Sequence, residues 1–149
     1  MSMEVDHSLT PDSAPELRAL YDDYRPWADR SEKEVARLIE NTDEVIGICD
    51  TETDALVASA RVLTGYYQYS MIYEVIVAES SRGKNLGHQI VDAIITHPKL
   101  QDVILTLRCR EELVPFYERC GFELRDRDIE MPDGETITYR TTVHEGSEL

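Results

Sequence analysis

The stretch Tyr73-Glu74-Val75-Ile76-Val77-Ala78, then Glu79-Ser80-Ser81, then Arg82-Gly83-Lys84-Asn85-Leu86-Gly87-His88, decides how this chain is read. Its first part is an apolar run rich in β-branched residues, which suits a buried strand. A short polar turn with two glycines follows, after which Leu86, Ile90, Val91, Ile94 and Ile95 recur at helical spacing. The stretch therefore predicts strand, loop and helix. Backbone N–H groups at the start of such a helix lack partners and lie at the positive end of its dipole, so the corner is an anion site. Gly83 and Gly87 let backbone approach a phosphate closely, while Arg82 and Lys84 bring positive charge. The expected anion is a pyrophosphate rather than a carboxylate.

Two phosphate loops are excluded, because neither the Gly-x-x-x-x-Gly-Lys-Ser/Thr pattern nor Gly-x-Gly-x-x-Gly occurs. Arg82-Gly83-Lys84-Asn85-Leu86-Gly87 instead resembles the Arg/Gln-x-x-Gly-x-Gly/Ala loop of the GNAT superfamily of N-acetyltransferases, which cradles the pyrophosphate of acetyl-coenzyme A. Asn85 stands where that family usually has glycine, and asparagine tolerates a positive φ better than other non-glycine residues. The resemblance continues in Phe116-Tyr117-Glu118-Arg119-Cys120-Gly121-Phe122, which is similar to the family's Tyr-x-x-x-Gly-Phe signature and follows the loop in the expected order.

Length and composition set the frame. A chain of 149 residues suits a single domain, 1–149, with one core, and no segment is apolar and long enough to span a membrane. No secretion signal opens the chain, and the three cysteines Cys49, Cys109 and Cys120 are odd in number and widely spaced. Reduced thiols in a cytoplasm are expected, with no disulfide frame and no metal pattern. Thirty acidic against fifteen basic residues leave a formal charge of −15. An acidic surface with so little lysine suggests a halophilic source, where molar salt screens self-repulsion. An acidic partner-binding face is the competing reading, although the acids are spread along the whole chain. Nucleic acid is disfavoured as a partner either way.

Taken in order, residues 1–9 predict a short strand, and Ser13 with Glu16 reads as a capping box before a helix carrying Leu17, Leu20, Tyr21 and Tyr24. Ser31 with Glu34 repeats that signal before Val35, Leu38 and Ile39. Residues 45–49 and 55–64 predict a hairpin, and three tyrosines in 66–70 either line an acceptor pocket or simply pack. Residues 103–107 should form a strand beside the central one, 111–120 a short helix, and 129–131 with 136–143 a closing hairpin around Pro132-Asp133-Gly134; 144–149 is expected to fray. This order matches the GNAT fold, which implies an α/β (α+β) architecture: a mixed central sheet of six to seven strands flanked by about four helices.

The resemblance implies a function. The main chain of Val75, Ile76 and Val77 would pair with the pantetheine arm of acetyl-CoA like an added strand, and Arg82, Gly83, Lys84, Asn85, Leu86 and Gly87 would hold the pyrophosphate. Acetyl transfer to an amine must then solve two proton problems. An alkylammonium is only about one part in 2,500 neutral at pH 7, a cost of about 4.6 kcal/mol. Glu74 interrupts the apolar run where the family often carries an acid, and burial would raise its pKa and improve it as a base; the alternative is a carboxylate held by a structural hydrogen bond. Tyr117 matches the family tyrosine near the sulfur. Full proton transfer from a phenol to a thiolate is uphill by about 2 kcal/mol in water, so Tyr117 would mainly hydrogen-bond to developing charge.

Arg110 departs from the asparagine many members carry, and can pair with phosphates or with surface acids. Acetyl-CoA as co-substrate, an amine acceptor and no metal follow from the resemblance; a homodimer follows from family habit alone. The alternative function is a non-catalytic acyl-CoA sensor or binding subunit.

Overall fold

The computed structural model describes residues 2–145. Its elements run β1 (Met3–Asp6), α1 (Ala14–Tyr21), α2 (Glu32–Glu40), β2 (Glu44–Asp50), β3 (Leu56–Thr64), β4 (Gln68–Val77), α3 (Leu86–Ile95), β5 (Val103–Leu107), α4 (Val114–Arg119), β6 (Glu123–Glu130) and β7 (Thr136–Glu145), with single 3-10 turns between several of them. That succession is the one the sequence predicts. The strands lie in the order β1-β2-β3-β4-β5-β7-β6, and every neighbouring pair is antiparallel except β4 and β5. The result is a mixed sheet with four helices.

Every residue of β3 from Leu56 to Val62 is buried, so the sheet centre is covered on both faces. Helix α1 supplies Leu17, Leu20 and Tyr21 to one face, and α3 supplies Leu86, Ile90, Val91 and Ile94 to the other. Burial of the aliphatic members of these sets, each worth about 1.5–3 kcal/mol against exposure, fixes both layers onto the sheet. At the far end of the sheet, buried His97 places Nε2 3.1 Å from Glu44 Oε1, and the Tyr66 hydroxyl donates to the other oxygen of Glu44. Those contacts tie the end of α3 to the start of β2 and to the β3–β4 turn.

Two features of β4 shape everything built on it. Arg61 lies opposite Tyr73 and Ser59 opposite Ile76, so two steps on β3 face three on β4. The extra residue is a β-bulge, and Glu74 within it has φ of 55°, a backbone region non-glycine residues rarely adopt. On its other side, β4 pairs with β5 only as far as Ile72 opposite Leu107. Beyond that point Ile76 and Val77 have a ladder partner only in β3, and Val75, in the bulge, has none in either neighbour.

Several local expectations are corrected. Ser13 does not cap α1: its hydroxyl accepts from the Thr10 N–H at 3.4 Å, one turn too early, because a 3-10 turn at Pro11–Ser13 precedes the helix. The Ser31 cap forms as predicted, accepting from the Glu34 N–H at 3.1 Å. The segment 111–120 divides into a 3-10 turn and α4, because Pro115 is tolerated only near a helix start. Strand β6 begins at Glu123, six residues before the predicted start, its alternation hidden by charged residues. Strand β7 continues through residues 144 and 145, expected to fray; residues 146–149 of that expectation lie outside the described residues.

Gly87, in the first turn of α3, marks a close approach, since a Cβ there would stand 3.3 Å from Phe116 Cζ on α4. Gly87→Val is expected to destabilise the fold by about 1–3 kcal/mol through overpacking, and Phe116→Leu in the same chain to recover part of it, both read from urea unfolding midpoints.

Candidate active site

The widening gap beyond the last β4–β5 pair becomes a cleft of about 320 Å³, lined by Glu74, Val75, Ile76 and Val77 from β4, by Tyr24 and Trp27 after α1, by Arg108, Cys109 and Arg110 after β5, and by Tyr117 of α4. A more open groove of about 630 Å³ adjoins it and shares Val75, Val77, Arg82, Leu113 and Tyr117. The groove runs over the loop, where Gly83, Asn85, Leu86 and Gly87 line it. Eight of the predicted residues therefore converge on this groove, while Glu74 and Ile76 face only the cleft. Lys84 lines neither cavity.

The loop has the geometry an anion needs. Gly83 has φ of 83° and Asn85 φ of 65°, so asparagine takes the left-handed position and turns the chain into α3. The first helical hydrogen bond of α3 runs from the Gln89 N–H to the Asn85 carbonyl at 3.1 Å, so the N–H groups of Leu86, Gly87 and His88 stand in the first turn, where no intrahelical carbonyl reaches them. The loop is also held from outside. Asp23, just beyond α1, accepts the Glu79 N–H on Oδ2 at 2.8 Å, and its carbonyl accepts from Arg82 Nη2 at 3.3 Å.

Glu74 is the most constrained side chain of the site. Its Oε1 accepts from Arg30 Nη2 at 2.8 Å and Arg61 Nη2 at 3.1 Å; its Oε2 accepts from Arg61 Nε at 2.8 Å and the Tyr21 hydroxyl at 3.1 Å. A carboxylate offers about four acceptor positions, and here each has a donor. Arg61 also lies 5.7 Å over the Tyr73 ring. One guanidinium thus meets two consecutive β4 residues, which a regular strand would turn to opposite faces. The expectation that burial raises the Glu74 pKa is overturned: desolvation does push it up, but the hydrogen bonds and charges of Arg61 and Arg30 outweigh that and hold it at about 2.

Tyr117 is buried, its ring edge-on to Phe116 and Phe122 at 5.0 and 5.8 Å, and it lies where the cleft and the groove meet. Burial pushes its phenol pKa well above the ordinary value, so it stays protonated at any working pH. Arg110 pairs at 3.5 Å with exposed Glu112, the surface-acid alternative. The three tyrosines of 66–70 line neither cavity: Tyr67 and Tyr69 are exposed, and the Tyr66 hydroxyl is engaged by Glu44.

Sequence reasoning missed Tyr21, Arg30 and Arg61, which hold Glu74. Arg61 did carry a signal. It is the single charged residue in the apolar run 56–63, as Glu74 is in its own run, and two opposite charges interrupting neighbouring buried strands ask to be paired. Cys120 Sγ, 3.5 Å from His88 Nδ1 beside the loop, was also unforeseen.

Because the folded Glu74 pKa lies below the ordinary carboxylate value, its contribution to stability is complete above about pH 4.5 and is lost as pH falls towards 2, amounting to about 3 kcal/mol. Acid unfolding is expected to steepen in that window, and Glu74→Gln to remove the steepening while lowering stability at neutral pH, as followed by chemical denaturation at stepped pH.

A family model described as an acetyltransferase (GNAT) domain matches residues 15–142. Among solved structures, the ribosomal-protein-S18-alanine N-acetyltransferase of Escherichia coli aligns with a TM-score of 0.73 at 16% identity, over 99% of this chain and 96% of that one. A GNAT-family protein of Xanthomonas campestris pv. campestris aligns with a TM-score of 0.67 at 24% identity, over 83% and 85%. An aminoglycoside 6'-N-acetyltransferase complexed with coenzyme A aligns with a TM-score of 0.68 at 15% identity, over 96% of each chain. No curated protein matches this chain. These likenesses concern the fold, and the family model spans most of the sequence, so the chain belongs to the GNAT acetyltransferase family.

Proposed function

We propose that this chain is an acetyl-CoA-dependent N-acetyltransferase that moves the acetyl group to a primary amine by direct attack in a ternary complex, in a cytoplasm. The observation that carries the reading is the unpaired β4 edge at Val75–Val77, opening between the anion-binding loop and Tyr117. An extended amide-bearing chain can add to that edge as a strand would, with its phosphates on the N–H groups of the loop and Arg82. The thioester then lies in the cleft beside Tyr117.

In this reading the attacking amine forms the new C–N bond, the C–S bond breaks, and the thiolate departs against the Tyr117 hydroxyl. Tyr117 lends a hydrogen bond to the developing charge and keeps its own proton. Glu74 has a different part from the one its position in the sequence suggests. Taking a proton directly from an ammonium of pKa about 10.4 onto a carboxylate near 2 is uphill by about 11 kcal/mol. The amine therefore enters as its free base, at the cost of about 4.6 kcal/mol at pH 7, and the proton it loses on forming the amide ends on the departing thiolate. Glu74 acts as the anchor that fixes Arg30, Arg61, Tyr21 and the bulge. The bulge interrupts the β4 ladder beside the cleft, and in this reading a backbone N–H that it frees there meets the tetrahedral oxyanion.

A second reading, an acyl-CoA-binding protein without turnover, draws support from the same saturated carboxylate, which leaves no obvious base. Calorimetry with acetyl-CoA, comparing the parent with Arg82→Ala, tests the donor site: tight binding weakened about tenfold or more is expected. Tyr117→Phe should slow acetylation of an amine panel about 10- to 100-fold without abolishing it. Binding without acetylation of any amine would favour the second reading.

The charge of −15 supports a high-salt interior as the setting. The melting temperature is expected to rise as potassium chloride increases from about 0.2 to 2 M, because screening relieves repulsion among surface acids. A flat or falling trend would remove that inference.

A further inference from the structure

Two cavities of this acidic chain are lined by more cations than acids. Arg82, Arg108 and Arg110 line the cleft against the single carboxylate of Glu74. On the other side of Glu74 a cavity of about 560 Å³ is lined by Arg30, Arg37 and Arg61, with Leu38, Asn41 and Leu63, against the single carboxylate of Glu34. Six of fifteen basic residues thus line these two spaces, and two of thirty acidic ones. A lining drawn evenly from the chain would hold twice as many acids as bases. The observed excess runs the other way.

The donor does not explain the second cavity, which shares no lining residue with the groove over the anion-binding loop. Nor do the local acids neutralise it. Glu74 is one carboxylate between two guanidiniums, Arg30 and Arg61, and Glu34 is drawn towards the Ser31 hydroxyl at 3.4 Å. No carboxylate among the described residues pairs with Arg37. Arg30 links this cavity to the cleft, because its guanidinium bonds Glu74 and lies 5.6 Å over Trp27, and both of those residues line the cleft.

We infer that the acceptor is a primary amine that also carries a carboxylate or phosphate, with the amine in the cleft and the anion in the cavity of Arg30, Arg37 and Arg61. The inference rests on the acetyltransferase reading above. Planar guanidiniums offer donors matched to both anions: Arg37 and the unbonded Nη1 of Arg30 supply them, while Arg61, whose three nitrogens already bond Glu74 and Thr42, contributes its charge, and Leu38 and Leu63 provide an apolar wall for the linking carbons. The overall negative field repels such a molecule at long range, but within a Debye length the local arginines dominate, and salt weakens the long-range repulsion more than the close contact.

The test uses matched acceptors with acetyl-CoA, in the lowest potassium chloride that keeps the protein folded: ethanolamine against O-phosphoethanolamine, butylamine against 4-aminobutanoate, and cadaverine as a cationic control. The anionic member of each pair is expected to have a kcat/KM about 10- to 100-fold higher. Arg37 is exposed and does not touch Glu74, so Arg37→Ala should fold; it is expected to remove most of that preference through KM rather than kcat, with Arg37→Lys restoring part of it. Equal or better use of the neutral and cationic amines overturns the inference while leaving the acetyltransferase reading intact, and so does an Arg37→Ala effect that is the same for every acceptor. If acetyl-CoA binds and no amine is acetylated, the acetyltransferase reading fails. Calorimetric titration with O-phosphoethanolamine then decides the cavity by itself: binding lost in Arg37→Ala keeps it as an anion site, and no binding by the parent removes it.

Discussion

A single carboxylate, Glu74, ties together parts of the chain that sequence separates widely. It accepts from Tyr21 on α1, from Arg30 ahead of α2 and from Arg61 on β3, while itself sitting on the bulge of β4. A buried ion pair gains little over apolar packing, but removing one partner leaves an uncompensated charge that costs several kcal/mol. The cluster therefore acts as a constraint more than as a source of stability. It fixes where the helical layer meets the sheet, and it holds a residue at positive φ that the backbone alone would avoid. The cleft, the free strand edge and the arginine-lined cavity all take their positions from it.

The elements that position the site were legible because each carries a local signal. The β-branched run of Val75–Val77, the glycines of the loop and the helical period beginning at Leu86 are short-range patterns, and the observed strand, turn and helix follow them. Even the departure at Asn85 was readable, since asparagine is among the few residues that accept the left-handed conformation it adopts. What was not legible depends on pairs distant in sequence. The pKa of Glu74 is set by Arg30 and Arg61, 44 and 13 residues away, and burial without those partners gives the opposite sign. Strand β6 was missed for a related reason: five of the six residues from Glu123 to Asp128 are charged, so no apolar alternation shows, and pairing with β7 decides their conformation more than their own propensity does.

The chain separates two uses of charge. Most of its acids lie on the surface, where they set the field of the whole molecule and its response to salt. Half of the twelve arginines line the cleft or the second cavity, so the local sign there is opposite to the global one. Because field strength at a site is set by the nearest charges in a poorly screened interior, the net charge of a protein is a weak guide to the charge of what it binds.

Asp23 gives the fold a mechanical consequence. Its side chain and its carbonyl hold the segment leading into the loop at Arg82–Gly87, and Tyr24 and Trp27, which follow it, line the cleft. Asp23 thus joins the chain that carries the aromatic wall to the segment entering the loop, so that under the function proposed above a shift of the loop would reach the wall through two hydrogen bonds. Linkage requires the reverse as well: an occupant that shifts the wall changes the affinity of the loop by the same factor. Under the proposed function the two substrates would share a free energy, and the order in which they arrive would be a property of the Asp23 link between their sites rather than of either pocket alone.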